Sequence, residues 1–291
     1  MNRSAEVKRI QGNVSRLSFV FALTLCVFTN FTNLFFWLLP AVQESYRLIT
    51  GVQRHYDLPF KAIFPFDITW SPFFEFIFVT SIWSGYVTIA SIYGGDGLFF
   101  GICAHLASEF EIIGSRIDTL IEKEIKSHES LDKFTPEQND RLLRKLQEIV
   151  IEHGEIIEMC KKMSTSLSPN VLIHYITSAF TTCICCLMIL LAESYDKLIF
   201  VNYIIASTTQ VFVYSYGGSL IDDASRSIYQ TAYSFHWYKC DERIRKLILM
   251  VIMRSQKKTG VDVPFFETSM ETFGLIMRTA GSYITLLKAF L

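Results

Sequence analysis

Apolar and polar positions along this chain fall into two regimes. Four stretches carry no charged residue: 17–43, 76–95, 163–192 and 198–221. About 20 apolar residues in helical form cross a bilayer core, so each stretch is long enough to span. A weaker fifth candidate, 272–287, is interrupted by Arg278 and bracketed by Glu271 and Lys288; it is expected to span only with help from neighbouring helices. Between the stretches the pattern changes. In the polar segment 104–162, Ile112, Ile113, Ile117, Leu120 and Ile121, then Leu142, Leu143, Leu146, Ile149, Val150, Ile156 and Ile157, recur at helical spacing. Thr135-Pro136-Glu137 predicts a helix start, with Thr135 as N-cap and Pro136 at the first helical position. A hairpin that prolongs spans two and three and turns near 127–134 is therefore expected.

The segment 223–262 repeats the theme. Ile228, Tyr229, Ala232, Tyr233, Phe235 and Trp237 precede Ile244, Leu247, Ile248, Met250 and Val251, with basic residues between. An apolar face on a water-exposed helix needs a partner, so this segment is expected to be an assembly anchor, with Tyr233, Trp237, Leu247 and Met250 as its candidate contacts. The fold expected is all-α, an integral membrane bundle of about five transmembrane helices with cytosolic extensions. Its parts would be an N-terminal segment 1–103 with helices at about 17–40 and 73–95 and an outer loop, a cytosolic hairpin 104–162, two further spans in 163–222, the anchor 223–262 and a terminal helix in 263–291.

Composition agrees: 51% of the 291 residues are hydrophobic and 19% charged, against about 25% charged in an ordinary soluble domain. A net charge of −1 implies no nucleic-acid partner. Seven cysteines lie mostly inside apolar runs, which argues against a secreted disulfide scaffold. Lys and Arg set the orientation. Arg3, Lys8, Arg9 and Arg16 precede the first span, and Lys239, Arg243, Arg245, Lys246, Arg254, Lys257 and Lys258 follow the fourth. Both segments are expected in the cytosol, with the C-terminus outside after five crossings. The first run is too long for a signal-peptide core and lacks a small-residue cleavage site, so it reads as a retained span. The sequons at Asn2, Asn13 and Asn30 would then lie inside or within the bilayer, unused.

No catalytic constellation emerges, and no cofactor or metal is expected. Gly94-Gly95-Asp96-Gly97 lacks the strand a phosphate cradle needs and reads as a bend where span two leaves the membrane. Cys183, Cys185 and Cys186 point in different directions on a helix and read as packing residues. His174 reads as structural or as facing a wet cavity. Asn30, Asn33 and Trp37 share a face of span one. They are either helix–helix hydrogen-bonding groups or the polar edge of a ligand pocket, with Phe78, Trp83, Phe200 and Tyr203 as aromatic walls. An interfacial aromatic belt is the competing reading of those four. In the tail, Tyr283, Leu286 and Phe290 share an apolar face that suits either a packed terminal helix or a wet, protein-lined setting.

Several of these residues carry a resemblance. Tyr233 and Trp237, the run Arg243-Ile244-Arg245-Lys246-Leu247-Ile248-Leu249, Arg254-Ser255-Gln256-Lys257-Lys258, and Phe266, Glu271-Thr272-Phe273, Ser282-Tyr283 and Thr285-Leu286-Leu287 resemble the C-terminal third of insect odorant receptors. Leu58-Pro59-Phe60, Pro65-Phe66-Asp67, Asp96 and His105 resemble an upstream part of the same family. That family has seven membrane helices, of which the third to seventh are recognisable, so the chain is expected to lack the first two. The resemblance implies an odorant-gated, non-selective cation channel that takes volatile small molecules and assembles with odorant co-receptor subunits as a heterotetramer in the plasma membrane of olfactory sensory neurons. It places Tyr283, Leu286 and Phe290 on the pore, the cytosolic helices between subunits, and the odorant among the outer halves of the spans. A gustatory receptor of the same superfamily and a truncated, non-conducting subunit are the alternatives. The gustatory terminal pattern is not matched by Ser282-Tyr283 and Lys288.

Overall fold

In the computed structural model of the chain, residues 3–50, 72–126, 134–192, 197–235 and 237–290 are described, together with Pro65 and Trp70. Most of the outer loop and of the turn expected near 127–134 therefore lies outside the described residues. Six α-helices are described: α1 (Arg3–Thr50), α2 (Phe73–Lys126), α3 (Pro136–Leu191), α4 (Lys197–Ser234), α5 (Glu242–Ser255) and α6 (Met270–Phe290). A 3-10 turn (Trp237–Lys239) precedes α5, and an antiparallel hairpin of β1 (Asp262–Val263) and β2 (Phe266–Glu267) precedes α6.

Helices α1 to α4 are long and apolar enough to cross a membrane, whereas α6, at 21 residues, is long enough but not apolar enough. With 54 and 56 residues, α2 and α3 are each about 80 Å long, at 1.5 Å per residue. That far exceeds a hydrocarbon core of about 30 Å, so both helices continue well beyond any membrane they cross. The molecule accordingly has two halves: a span half built by α1 and the adjoining parts of α2, α3 and α4, and a bundle half in which α2, α3 and α4 pack with α5.

Two sequence expectations change here. The glycines around Asp96 do not interrupt α2, which runs on through them. Each interior glycine costs about 1 kcal/mol relative to Ala. Asp96, Phe99 and Phe100 are buried at this level, and Tyr214 of α4 donates to the Asp96 carboxylate at 2.7 Å. Those contacts pack this stretch of the helix against α4. The anchor segment 223–262, in turn, divides among the end of α4, the 3-10 turn, α5 and the first strand.

The bundle half closes on regular seams. Cys103, Leu106, Phe110, Ile113 and Ile117 of α2 are buried, as are Leu142, Leu146, Ile149, His153, Ile156, Cys160 and Met163 of α3. Alternating steps of three and four residues are the coiled-coil pattern, in which each side chain enters a gap on the facing helix. Ile221, Ser225, Ile228 and Ala232 of α4 and Ile244, Ile248, Val251 and Ser255 of α5 follow the same rhythm. Fully burying one such aliphatic or aromatic side chain stabilises the fold by about 1.5–3 kcal/mol.

Caps fix the register of this half. Thr135 and Gln138 form a reciprocal capping box at the start of α3. The neighbouring Asn139 accepts the backbone N–H of Asp241 at 3.2 Å. Asp241 caps α5, accepting the Ile244 N–H at 3.0 Å and the Arg243 Nε–H at 2.9 Å. Arg243 also reaches Asp140 at 2.8 Å, so the first turns of α3 and α5 are stitched together. Partial burial works against ionisation of Asp241. The Ile244 amide and the Arg243 guanidinium outweigh it and hold the carboxyl below the usual carboxylate range.

The entry to α6 is pinned to α3 and α4. The Asp262 N–H donates to Ser164 Oγ at 3.0 Å, the Thr259 N–H to Asp222 Oδ1 at 3.2 Å, and the Met270 N–H to Ser219 Oγ at 2.9 Å. Gly218 makes the approach possible, because a Cβ there would collide with Thr268. Phe265, at the tip of the hairpin, takes a φ of 80°, in the left-handed region that favours glycine.

Candidate functional site: a cavity between the spans

The span half reverses the bundle's pattern. Phe19, Val27, Phe31, Phe76, Trp83, Phe180 and Ile184 are exposed on its outer surface, as side chains in contact with lipid would be. Its interior holds a cavity of about 860 Å³, within the range of about 300–1,000 Å³ of small-molecule sites. Leu25, Phe28 and Asn33 line it from α1, Ile77, Ser84 and Thr88 from α2, Thr177 and Thr181 from α3, and Asn202, Tyr203 and Gln210 from α4.

The floor is polar and ordered. Asp96, 5% exposed, lines the cavity and accepts from the Tyr214 hydroxyl. The Tyr214 ring lies against Phe99 at 4.7 Å and is stacked on His174 at 5.2 Å. Deeper, the Tyr175 and Ser215 hydroxyls meet at 2.5 Å. Toward the middle of the span, Ser207 donates to the Ser178 carbonyl at 3.0 Å and lies 3.2 Å from the Thr182 hydroxyl. Stacked aromatics and paired hydroxyls close the cavity off from the bundle. Among the described residues, no three His, Cys, Asp or Glu side chains come together as a metal site. The arrangement offers shape and hydrogen bonds rather than a nucleophile with its base.

Of the sequence-named pocket residues, Asn33 and Tyr203 line the cavity, while Asn30, Trp37, Phe78, Trp83 and Phe200 do not. Asn30 is exposed and donates to the Cys26 carbonyl at 2.8 Å. A step of three residues turns a helix by about 300°, so Asn33 faces inward while Asn30 has rotated toward the outer surface. Trp83 is 67% exposed and packs beside Tyr86. Phe78 lies against Phe74, and Phe78, Phe200 and Trp37 are half-buried. The sequence reading passed over the Ser and Thr rows that supply most of the polar wall. Their signal was the helical repeat Ser81, Ser84, Thr88 on α2 and Thr177, Ser178, Thr181 on α3.

The other named groups lie at the surface of the single chain. Tyr233, Trp237 and Met250 are exposed, and Leu247 is half-buried against the bundle core. On α6, Phe273 packs edge-on to Phe212 at 5.6 Å. From Gly281 onward every described side chain is exposed except the half-buried Tyr283, and Leu286 stands open. The Phe290 side chain lies outside the described residues.

Long spans, a ligand-sized cavity among four of them and a helical bundle beneath define a polytopic membrane receptor architecture. Residues 1–281 match the family described as 7tm odorant receptor, and the chain belongs to that family. It is 33% identical to odorant receptor 22c of Drosophila melanogaster over 291 residues, all of this chain and 72% of that protein. Odorant receptor 24a of the same fly is 27% identical over 283 residues, 97% of this chain and 69% of that one. Among solved structures, the insect olfactory receptor OR5 from Machilis hrabei in complex with eugenol superposes with a TM-score of 0.72 at 15% identity, covering 98% of this chain and 70% of that one. That likeness is one of fold. The protein is thus a membrane protein of the odorant receptor family, not an enzyme.

Proposed function

We propose that this chain is the odorant-binding subunit of an odorant-gated, non-selective cation channel, acting with odorant co-receptor subunits in a heterotetramer. The observation that carries the reading is the cavity of about 860 Å³ lined by four candidate spans. A volatile small molecule is the ligand class such a site suits, and the related fold of OR5 was solved with eugenol bound. Orientation follows the basic flanks: N-terminus cytosolic, C-terminus extracellular, in the plasma membrane of an olfactory sensory neuron. The cavity then lies toward the outer leaflet and the bundle in the cytosol. Asn33 and Tyr203 contact the odorant directly, Trp37, Phe78 and Phe200 act from the surrounding shell, and Asn30 and Trp83 face the lipid.

The exposed second half of α6 supports a pore-lining role for Tyr283, Leu286 and Phe290. A ring of apolar side chains around a symmetry axis blocks ions by excluding water. An odorant that fits the open state better shifts the population toward it. The exposed Tyr233, Trp237 and Met250, with Leu247 behind them, form the subunit anchor. The experiment is whole-cell recording from cells expressing this chain with an insect co-receptor, under a panel of volatile odorants. Odorant-evoked cation current, with basal current raised by Leu286→Ser, is the expected result. A chain that reaches the surface with the co-receptor yet adds no odorant response would overturn the proposal.

A further inference from the structure

The cavity is unusual in how its polar groups are occupied. Hydroxyls on all four helices line it, and six of them have protons already committed. Thr29 donates to the Leu25 carbonyl at 2.8 Å, Thr32 to Phe28 at 3.0 Å, Ser81 to Ile77 at 2.8 Å, Thr88 to Ser84 at 2.9 Å, Thr177 to Ile173 at 2.8 Å and Thr209 to Ile205 at 2.8 Å. A hydroxyl whose proton is bonded back to its own helix keeps only lone pairs for a guest. These six positions therefore offer a guest acceptors only.

Two amides stand apart from this pattern. Asn33 is 3% exposed, lines the cavity from α1 and has a buried Oδ1 with no hydrogen-bond partner. Asn202 lines it from α4 and has a buried Nδ2 with none. A buried polar atom left unpaired costs about 1–3 kcal/mol, and since both atoms lie behind the cavity surface, a rotation of the side chain brings each to a ligand that pairs it and recovers that cost. The two ends of an amide are interchangeable by a flip of the side chain. A hydroxyl both donates and accepts, so it satisfies either amide end in either orientation, and its proton also suits the acceptor-rich Ser and Thr wall. An ether, ester or ketone only accepts, so it pairs an amide N–H but leaves the Asn33 oxygen without a donor, and a hydrocarbon leaves both asparagines unpaired.

We infer that this cavity selects small ligands bearing a hydroxyl group, alcohols and phenols, over ethers and hydrocarbons of the same skeleton, with Asn33 and Asn202 as the selecting residues. The inference rests on the reading that the cavity is the odorant site, and it names the ligand class of that site.

The test uses the full chain, purified with its co-receptor in lipid nanodiscs, and direct binding rather than current. Three matched series are titrated: 2-phenylethanol, its methyl ether and ethylbenzene; 1-octanol, its methyl ether and nonane; 4-ethylphenol, its methyl ether and 4-ethyltoluene. The expected result is that in at least one series the hydroxyl compound binds tenfold or more tightly than both partners. Asn33→Leu then removes that preference while hydrocarbon binding stays or improves. Asn202→Leu reports the same loss independently, and either variant counts once it is monodisperse and assembled. Equal binding across every series, or a preference for ether or hydrocarbon, overturns the hydroxyl inference and leaves the cavity assignment standing. If none of the nine probes binds the folded complex, the cavity assignment fails and the inference fails with it.

Discussion

The two halves of this molecule are built from the same helices but turned inside out. In the bundle half, α2, α3, α4 and α5 bring Phe110, Ile113, Leu142, Ile221, Ile228 and Ile244 together, each at most 2% exposed, and charged residues such as Arg243, Lys246 and Glu242 face outward. In the span half the outer surface is Phe, Val, Ile and Trp, while Ser, Thr, Asn and Asp96 turn inward onto a cavity. The surroundings explain the reversal. In water, burying apolar area drives packing and closes voids. In lipid the tails are as apolar as a core, so that drive is absent and polar groups seek one another inside. One helix can therefore leave a tightly closed seam and open onto a cavity within a few turns. In α2 and α4 the change falls at Asp96, Phe99 and Tyr214.

The sharpest way to break this comparison is a matched pair of truncations. Ile113→Ala in the bundle removes packing on all sides and should cost about 3 kcal/mol. Ile77→Ala, equally apolar and 7% exposed but bordering the cavity, already lacks neighbours on one side and should cost about 1 kcal/mol. Thermal unfolding of the two variants in nanodiscs checks the difference. Equal losses would mean that the span half is packed as tightly as the bundle.

Next in size is the joint that hangs α6 from the two halves. Gly218→Ala drives a methyl group into Thr268 and should cost about 2 kcal/mol, within the range for overpacking. It should also loosen α6, read as faster proteolysis between β2 and α6. A variant with wild-type stability and protection would show that the α4–Thr268 approach is slack.

The cap of α5 follows. Asp241→Ala removes a side chain that accepts the Ile244 N–H and binds Arg243, at a cost of about 1 kcal/mol. Because its carboxyl is held below the ordinary value, its contribution is complete above the unfolded pKa of about 4. It fades as pH falls through the still lower folded value. The wild type should accordingly converge on the variant in acid and stay apart from it at neutral pH, as followed by thermal unfolding across pH. The smallest effect is a gain: Phe265→Gly relieves the left-handed φ and should stabilise the hairpin by about 1 kcal/mol.

How legible these regions were in the sequence follows from the same contrast. Bundle seams announce themselves, because Leu142, Leu146, Ile149 and Ile156 recur among charged residues and only one face can be buried. Thr135-Pro136-Glu137 marked the start of α3 for the same local reasons. In the charge-free spans both faces are tolerable, so periodicity does not say which one turns inward. Aromatic residues were a poor guide: Trp83 is content in lipid, and a chamber needs small side chains to leave room. Asn33 was visible as a polar residue in a span, but Asn202 was passed over because the helices that share the cavity with it are distant in sequence. The unbroken run of α2 through Gly94 to Gly97 was likewise hidden, since this level packs through Tyr214, 118 residues away from Asp96.

The central claim is that the span half is a ligand chamber, and one substitution tests it most directly. Ala206 lines the cavity from α4, and Ala206→Trp would fill part of that space without touching the bundle. Odorant-evoked current in cells co-expressing the co-receptor should fall, with the half-maximal concentration rising at least tenfold, while surface expression remains at the wild-type level. A dose–response curve unchanged by Ala206→Trp would contradict the account, because the odorant would then be acting somewhere other than this cavity.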